Sequence, residues 1–214
     1  MENLKFAVYL AVALVPSLVL HEYAHGFAAG KLGDPTPRRW GRLTLNPRPL
    51  VDPFGSVILP ALLLILVASG QGCLLPVFAY AKPIPLDPNY LRHRDRDTTL
   101  IALAGPAANV VLAAIAGAAY RVGLTGEVAL FVEAFLIVNV FMCVFQLMPV
   151  PGFDGARILA RFLPPRPRQV FVNLDQYQVL FVLVVFFLLA GPFIAIVRAI
   201  ANALFGLLAG VSYC

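Results

Sequence analysis

Charged residues are scarce in this sequence of 214 residues, at 13% of the chain, whereas hydrophobic residues make up 60%. The mean hydropathy is +0.85. This balance excludes an ordinary soluble domain and is typical of polytopic membrane proteins. We therefore expect most of the chain to lie in a lipid bilayer.

Cysteine is also scarce, with three residues at positions without paired spacing: Cys73, Cys143 and Cys214. That spacing excludes a disulfide framework and a zinc knuckle. Cys143 lies within an apolar run, so we interpret it as a small buried hydrophobic residue.

Basic residues are confined largely to short segments beside the apolar runs, although the net charge is +5. This distribution follows the positive-inside rule and predicts that these segments are cytoplasmic. A nucleic-acid-binding surface is the weaker interpretation, and we expect no nucleic-acid partner. The residues are Lys31, Arg38, Arg39, Arg42 and Arg48; Lys82, Arg92, Arg94 and Arg96; and Arg157, Arg161, Arg166 and Arg168.

The motif His-Glu-Tyr-Ala-His at positions 21 to 25 ends an apolar run that starts near Leu4. Residues four apart share one face of a helix, so His21 and His25 would bind one metal ion together. Glu22 lies beside them, close enough to act on a water molecule at the metal. This is the H-E-x-x-H arrangement of zinc peptidases. A histidine pair satisfied within a core is the alternative, but ionisable groups in a membrane helix are usually functional.

The expected depth of the motif places it inside the membrane. The first span runs from about Leu4 to Gly30, and Phe6 to Leu20 contain no charge. His21 precedes Lys31 by ten residues, which is about 15 Å along a helix. We therefore expect an active site within a multi-pass cell-membrane protein, open toward the cytoplasm.

Residues 55 to 81 form an apolar stretch that is broken at 70 to 72 and flanked by basic segments on both sides. A short helix followed by an extended re-entrant return brings the chain back to the side it left. Irregular backbone at this depth needs protein cover, so the segment should border the active site. An ordinary transmembrane helix is the competing interpretation.

The remaining apolar runs give the rest of the predicted architecture. Spans are expected at Thr98 to Tyr120 and at about Val128 to Met148, with Asn109 as an interhelical hydrogen-bonding residue. The apolar tail should cross once before Gly191-Pro192 and form a second element after it. The fold class is thus an all-α polytopic membrane protein of about five to six transmembrane helices, with the re-entrant or hairpin segment between the first two core spans. We expect one domain over 1–214, with a core at 4–160 and C-terminal membrane segments at 176–211.

Asp154 is the candidate third metal ligand. Pro149 and Pro151 force a bend at the inner end of the preceding span and present Asp154 at the level of the histidines. Asp-Gly is also a common turn pair, and a purely structural role is the alternative. Two histidines and one carboxylate would leave the fourth zinc position open, as in catalytic zinc sites.

The motifs HEYAH and PVPGFDG resemble the paired signatures of the site-2 protease family of intramembrane zinc metalloproteases. The sequences GRLTLNP…VDPFGS, AYAKPIPLDP and LAGPAAN are similar to its compact prokaryotic branch, which lacks PDZ and CBS domains. The resemblance covers most of residues 17 to 160. It implies that His21, His25 and Asp154 bind one zinc ion and that Glu22 is the catalytic base. Gln146 departs from the family pattern, which usually has asparagine there, and would act as a hydrogen-bond donor with a longer reach.

The function implied is hydrolysis of peptide bonds within or near transmembrane segments, with a transmembrane protein as substrate and membrane lipid around the chain. Two alternatives stay open: a catalytically weak member that binds membrane helices, and a membrane metal transporter. A transporter would need a continuous path of polar ligands, and the later spans offer little beyond Asn109, Glu133 and Asn139.

Overall fold

The computed structural model describes residues 2–71, 77–188 and 190–210, and within them it is α-helical without β-strands. This confirms the all-α class. The helices are α1 (Glu2–Leu32), α2 (Thr36–Arg39), α3 (Leu59–Leu66), α4 (Arg94–Arg121), α5 (Gly126–Gln146), α6 (Asp154–Ala160), α7 (Pro165–Asn173), α8 (Gln178–Leu188) and α9 (Ala190–Ala209). π-Helical turns at Pro53–Ile58 and Val67–Gln71 flank α3.

Four helical stretches among the described residues are long and apolar enough to cross a membrane: Glu2–Leu32, Pro53–Gly70, Arg94–Arg121 and Gly126–Gln146. The polytopic class agrees with this finding, whereas a total of five to six spans stays a prediction. In the tail, Gly191 and Pro192 lie in the first turn of α9, where a residue without an N–H group is readily accommodated.

Helices α1, α4 and α5 pack together as the centre of the molecule. Their shared core contains Leu10, Ala113 and Phe141, each almost completely buried. The opposite side of α1 exposes apolar residues such as Val8 and Val12, as expected of a surface in contact with lipid. Cys143 is buried on α5, as predicted, while Cys73 and Cys214 lie outside the described residues.

Residues 77–87, called the extended segment below, contain no helix or strand and return to the beginning of the α3 region. The Tyr80 amide donates to the Gly55 carbonyl (3.1 Å) and the Lys82 amide donates to the Leu50 carbonyl (3.0 Å). A Cβ at Gly55 would lie 2.3 Å from the Tyr80 ring, so glycine permits this close approach. On the other side, the Phe78 ring stacks on Phe145 of α5 at 3.9 Å.

The stacking of Phe78 on Phe145 places this segment against α5. Residues 72–76, in the middle of the predicted re-entrant stretch at 55–81, lie outside the described residues. The re-entrant path itself therefore stays a prediction.

Candidate metal centre

His21 and His25 lie one turn apart on α1 and are buried. Their Nε2 atoms are 3.1 Å apart, because the i and i+4 positions project from the same helix face. The predicted pairing of the two imidazoles is therefore present in the fold.

Neighbouring helices hold the outer nitrogen of each ring. His25 Nδ1 lies 2.7 Å from the Ile101 carbonyl of α4, and since a carbonyl only accepts, Nδ1 donates. His21 Nδ1 lies 2.5 Å from Asn109 Oδ1, and the Asn109 amide nitrogen donates to Asn139 of α5. With both Nδ1 atoms protonated, each Nε2 carries a free lone pair, which is the form that binds a metal.

Asp154 begins α6 and brings its carboxylate to the same point. Its Oδ2 lies 3.3 Å from His21 Nε2 and 3.1 Å from His25 Nε2. Among the described residues, this oxygen is buried and has no hydrogen-bond donor. The lone pairs of the two Nε2 atoms and the anionic Asp154 oxygen thus lie 3.1 to 3.3 Å from one another. A bound cation would satisfy all three.

The donor set and its dimensions fit zinc. Tetrahedral coordination with bonds of 2.0–2.1 Å places ligand atoms about 3.3 Å apart, close to the separations of 3.1 to 3.3 Å found here. His21, His25 and Asp154 form a buried group that could hold a metal ion. The sequence-predicted ligands are therefore brought together.

Gly105 of α4 makes room for the two imidazoles. A Cβ at this position would lie 2.2 Å from His25 Nε2 and 2.6 Å from His21 Cε1. The small-residue sequence LAGPAAN predicts close helix contact, and this glycine is the point at which α4 meets the histidine pair.

A small cavity of about 30 Å³ opens at the side chains of the three predicted ligands, which are called the metal group below. Both predicted catalytic residues line it: Glu22 from α1 and Gln146 from the end of α5. The extended segment contributes Ala81, Pro83 and Ile84. The metal group, the Glu22 carboxylate and the Gln146 amide thus line one cavity. The catalytic roles of Glu22 and Gln146 stay predictions.

Several residues around this cavity carry no clear sequence signal. The Ile101 carbonyl is invisible in sequence, and Asn139 is one polar residue in a long apolar run. Gln178 of the tail lines the cavity, and Asp175 accepts a hydrogen bond from Gly152 in the turn before Asp154. The sequence of the tail is generic and predicts neither contact. Asn109 does connect helices as predicted, and it also supports His21.

The chain is similar over most of its length to named bacterial proteins. It is 32% identical over 200 residues to the putative zinc metalloprotease YwhC of Bacillus subtilis (strain 168), covering 87% of this chain and 83% of that protein. It is 34% identical over 171 residues to the putative zinc metalloprotease Rip2 of Mycolicibacterium smegmatis, covering 78% of this chain and 62% of that protein. The Mycobacterium tuberculosis (strain H37Rv) protein of the same name is 32% identical over 185 residues, with coverages of 85% and 67%.

No family model matches the chain. No solved structure matches it either. The named relatives are bacterial, and the zinc in their names agrees with the His–His–Asp group described above. Identity and coverage at this level show that the chain belongs to the site-2 protease family of zinc metalloproteases.

Proposed function

We propose that this protein is an intramembrane zinc metalloprotease that hydrolyses peptide bonds within or near the transmembrane segments of other membrane proteins. One observation carries the proposal. A buried His–His–Asp group lies beside Glu22, and both histidines and Glu22 belong to a helix long and apolar enough to span a membrane.

His21, His25 and Asp154 would hold one zinc ion per chain through Nε2, Nε2 and Oδ2. When bound, zinc acts as a Lewis acid that polarises the scissile carbonyl and lowers the pKa of water toward about 7. Three protein ligands leave a coordination position open for this chemistry.

Glu22 is the proposed general base and acid. It is buried, adjacent to His21 in sequence, and lines the cavity beside the metal group. Its carboxylate would accept a proton from the attacking water molecule and then donate it to the leaving amine nitrogen. A base of this kind has to lie in the same cavity as the metal ligands, and Glu22 does so.

Gln146 is the proposed hydrogen-bond donor to the carbonyl oxygen of the scissile bond. Its side chain lines the same cavity from the end of α5. An amide donates as asparagine does, with one more methylene of reach. Such a donor contributes about 3 kcal/mol to stabilising developing negative charge.

The extended segment supplies an edge for the substrate backbone. The amides of Tyr80 and Lys82 donate to the carbonyls of Gly55 and Leu50. Since backbone groups alternate in direction along an extended chain, those of Ala79 and Ala81 would point the other way. Ala81 lines the cavity. A substrate helix that unwinds locally would pair with this edge by strand addition.

The polar groups of the spans favour a protease over a metal transporter. Ser17, Asn139 and Asn109 bond to one another and then to His21. They therefore support one metal group and do not extend as a chain of ligands across the helices. The basic segments beside the spans support an open side that faces the cytoplasm of a bacterial cell, as the positive-inside rule predicts.

Cleavage of a single-span membrane protein, reconstituted with the purified chain in lipid vesicles, tests the proposal. Glu22→Gln should retain zinc and the fold but lose nearly all cleavage, since an amide does not accept the water proton at neutral pH. Glu2→Gln, the same change at an exposed position on the same helix, is the matched control and should cleave normally.

Near-normal turnover by the Glu22→Gln variant would contradict Glu22 as the base. Wild-type protein that binds zinc but cleaves no membrane substrate would favour the alternative of a family member that only binds membrane helices.

A further inference from the structure

The turn that carries Asp154 has few hydrogen bonds of its own. Pro149 and Pro151 lack an N–H group. The Val150 amide donates to the Met148 carbonyl (2.8 Å), and the Phe153 amide donates to the Val150 carbonyl (3.0 Å). The remaining donor in the turn, the Gly152 amide, therefore needs an acceptor from elsewhere.

That acceptor comes from the C-terminal tail. Asp175, in the 3₁₀ turn Leu174–Tyr177, accepts from the Gly152 amide through Oδ1 at 2.9 Å. Its Oδ2 lies 3.9 Å from Arg157 Nε of α6. The Asp175 carboxylate thus contacts the chain on both sides of Asp154: at Gly152, two residues before it, and at Arg157, three residues after it.

A second tail residue packs on the same glycine. A Cβ at Gly152 would lie 2.4 Å from the Gln178 side chain, and Gly152 has a φ of +91°. Gln178 also lines the cavity of the metal centre. The tail is therefore fitted to this turn by a hydrogen bond and by close packing.

We propose that Asp175 is a positioning residue for the metal centre, acting through the backbone of Gly152 to fix the carboxylate of Asp154. The histidines are fixed by a long helix, whereas Asp154 follows a bend with two prolines. Freeing the Gly152 amide would let the bend move. Zinc binding depends on the Asp154 oxygen staying within about 0.5 Å of its productive position. The inference rests on the proposed zinc ligands.

Zinc affinity, measured by competition with a chelator on the purified full-length protein, tests this role without relying on proteolysis. Asp175→Ala should bind zinc about tenfold or more weakly, as for other groups that orient ligands. Asp95→Ala is the matched control. Asp95 pairs with Arg168 (3.0 Å) and does not bond the turn, so this variant should keep wild-type affinity.

Two further variants separate the hydrogen bond from the charge. Asp175→Asn keeps an oxygen acceptor at the same reach and should retain wild-type affinity to within about threefold, because the Gly152 bond remains. Asp175→Glu keeps the charge but displaces the acceptor by one methylene, and should bind zinc more weakly than Asp175→Asn. The zinc affinities of these two variants distinguish the hydrogen bond from the charge even if the alanine variant fails to fold.

Wild-type affinity in Asp175→Ala, or tight binding by Asp175→Glu with weak binding by Asp175→Asn, would overturn the proposal while leaving the zinc site intact. Wild-type protein that binds no zinc would overturn the proposed function itself, and this inference with it.

Discussion

The metal centre has two halves that are built differently. The first contains His21, Glu22 and His25 on one helix, with α4 and α5 supporting the rings through Ile101, Asn109 and Asn139. The second contains Asp154, placed by a proline-rich turn that bonds to a residue in the C-terminal tail. Helix spacing brings the two histidines of the first half together, and neighbouring helices then support their rings. In the second half, local spacing does not bring Asp154 to the histidines, and its turn depends on a contact with the distant tail.

This difference indicates where each half is vulnerable. The histidine half tolerates little change in the packing of neighbouring helices, because the imidazoles fill the space between them. The aspartate half is sensitive to changes that loosen a turn. Zinc content and zinc affinity should therefore respond differently to variants in the two halves.

The largest effect is expected from Gly105→Ala, which breaks the histidine half. The added methyl group would lie 2.2 Å from His25 Nε2, so the helix or the ring has to move. Zinc measured on the purified protein should fall from stoichiometric to near zero, and proteolysis should fall with it.

Gly30→Ala is the matched control for Gly105→Ala. Gly30 lies on α1, and a Cβ there would meet nothing within 4 Å. Zinc content should be unchanged. If both variants retain zinc equally, α4 does not confine the histidines as described.

Gln146→Ala should have the next largest effect, on turnover and not on zinc. Loss of one donor to the developing oxyanion lowers kcat by roughly a hundredfold or less. Gln146→Asn should retain or raise activity if reach is the only difference between the two amides. Equal cleavage by the alanine variant and the parent would mean that the amide is structural.

Asn109→Ala should weaken zinc binding by about tenfold, because His21 loses the acceptor that orients its ring. Asn139→Ala removes a residue one step farther from the metal group and should weaken it less. Chelator competition on the two variants gives the order. If Asn139→Ala weakened zinc binding more than Asn109→Ala, Asn139 would not act on the metal group through Asn109.

The smallest effect is expected from Tyr80→Phe in the extended segment. The Tyr80 hydroxyl is buried without a hydrogen-bond partner among the described residues, which costs about 1–3 kcal/mol of desolvation. Phenylalanine keeps the ring over Gly55, so the melting temperature should stay the same or rise slightly. A marked fall in melting temperature would reveal a partner for the hydroxyl.

The histidine half was predictable from sequence because its geometry is local. Residues 21 to 25 specify which side chains share a helix face, and the lack of charge from Phe6 to Leu20 indicates the membrane setting. Asp154 was predictable only once its proline-flanked position was compared with that of the histidines. The all-helical class followed from the long apolar runs.

The support of the site was not predictable in the same way. The Ile101 carbonyl has no side-chain signature, and the tail residues Asp175 and Gln178 lie more than twenty residues beyond Gly152 in sequence. Nothing in local propensity relates them to the turn. Such contacts depend on how the tail packs, which the composition of an apolar segment does not specify.

Metal analysis of the purified protein tests the central claim most directly. We predict one zinc ion per chain for the wild type, and none for a variant in which His21, His25 and Asp154 are all changed to alanine. Stoichiometric zinc retained by the triple variant would contradict the site, because the metal would then be held by other residues.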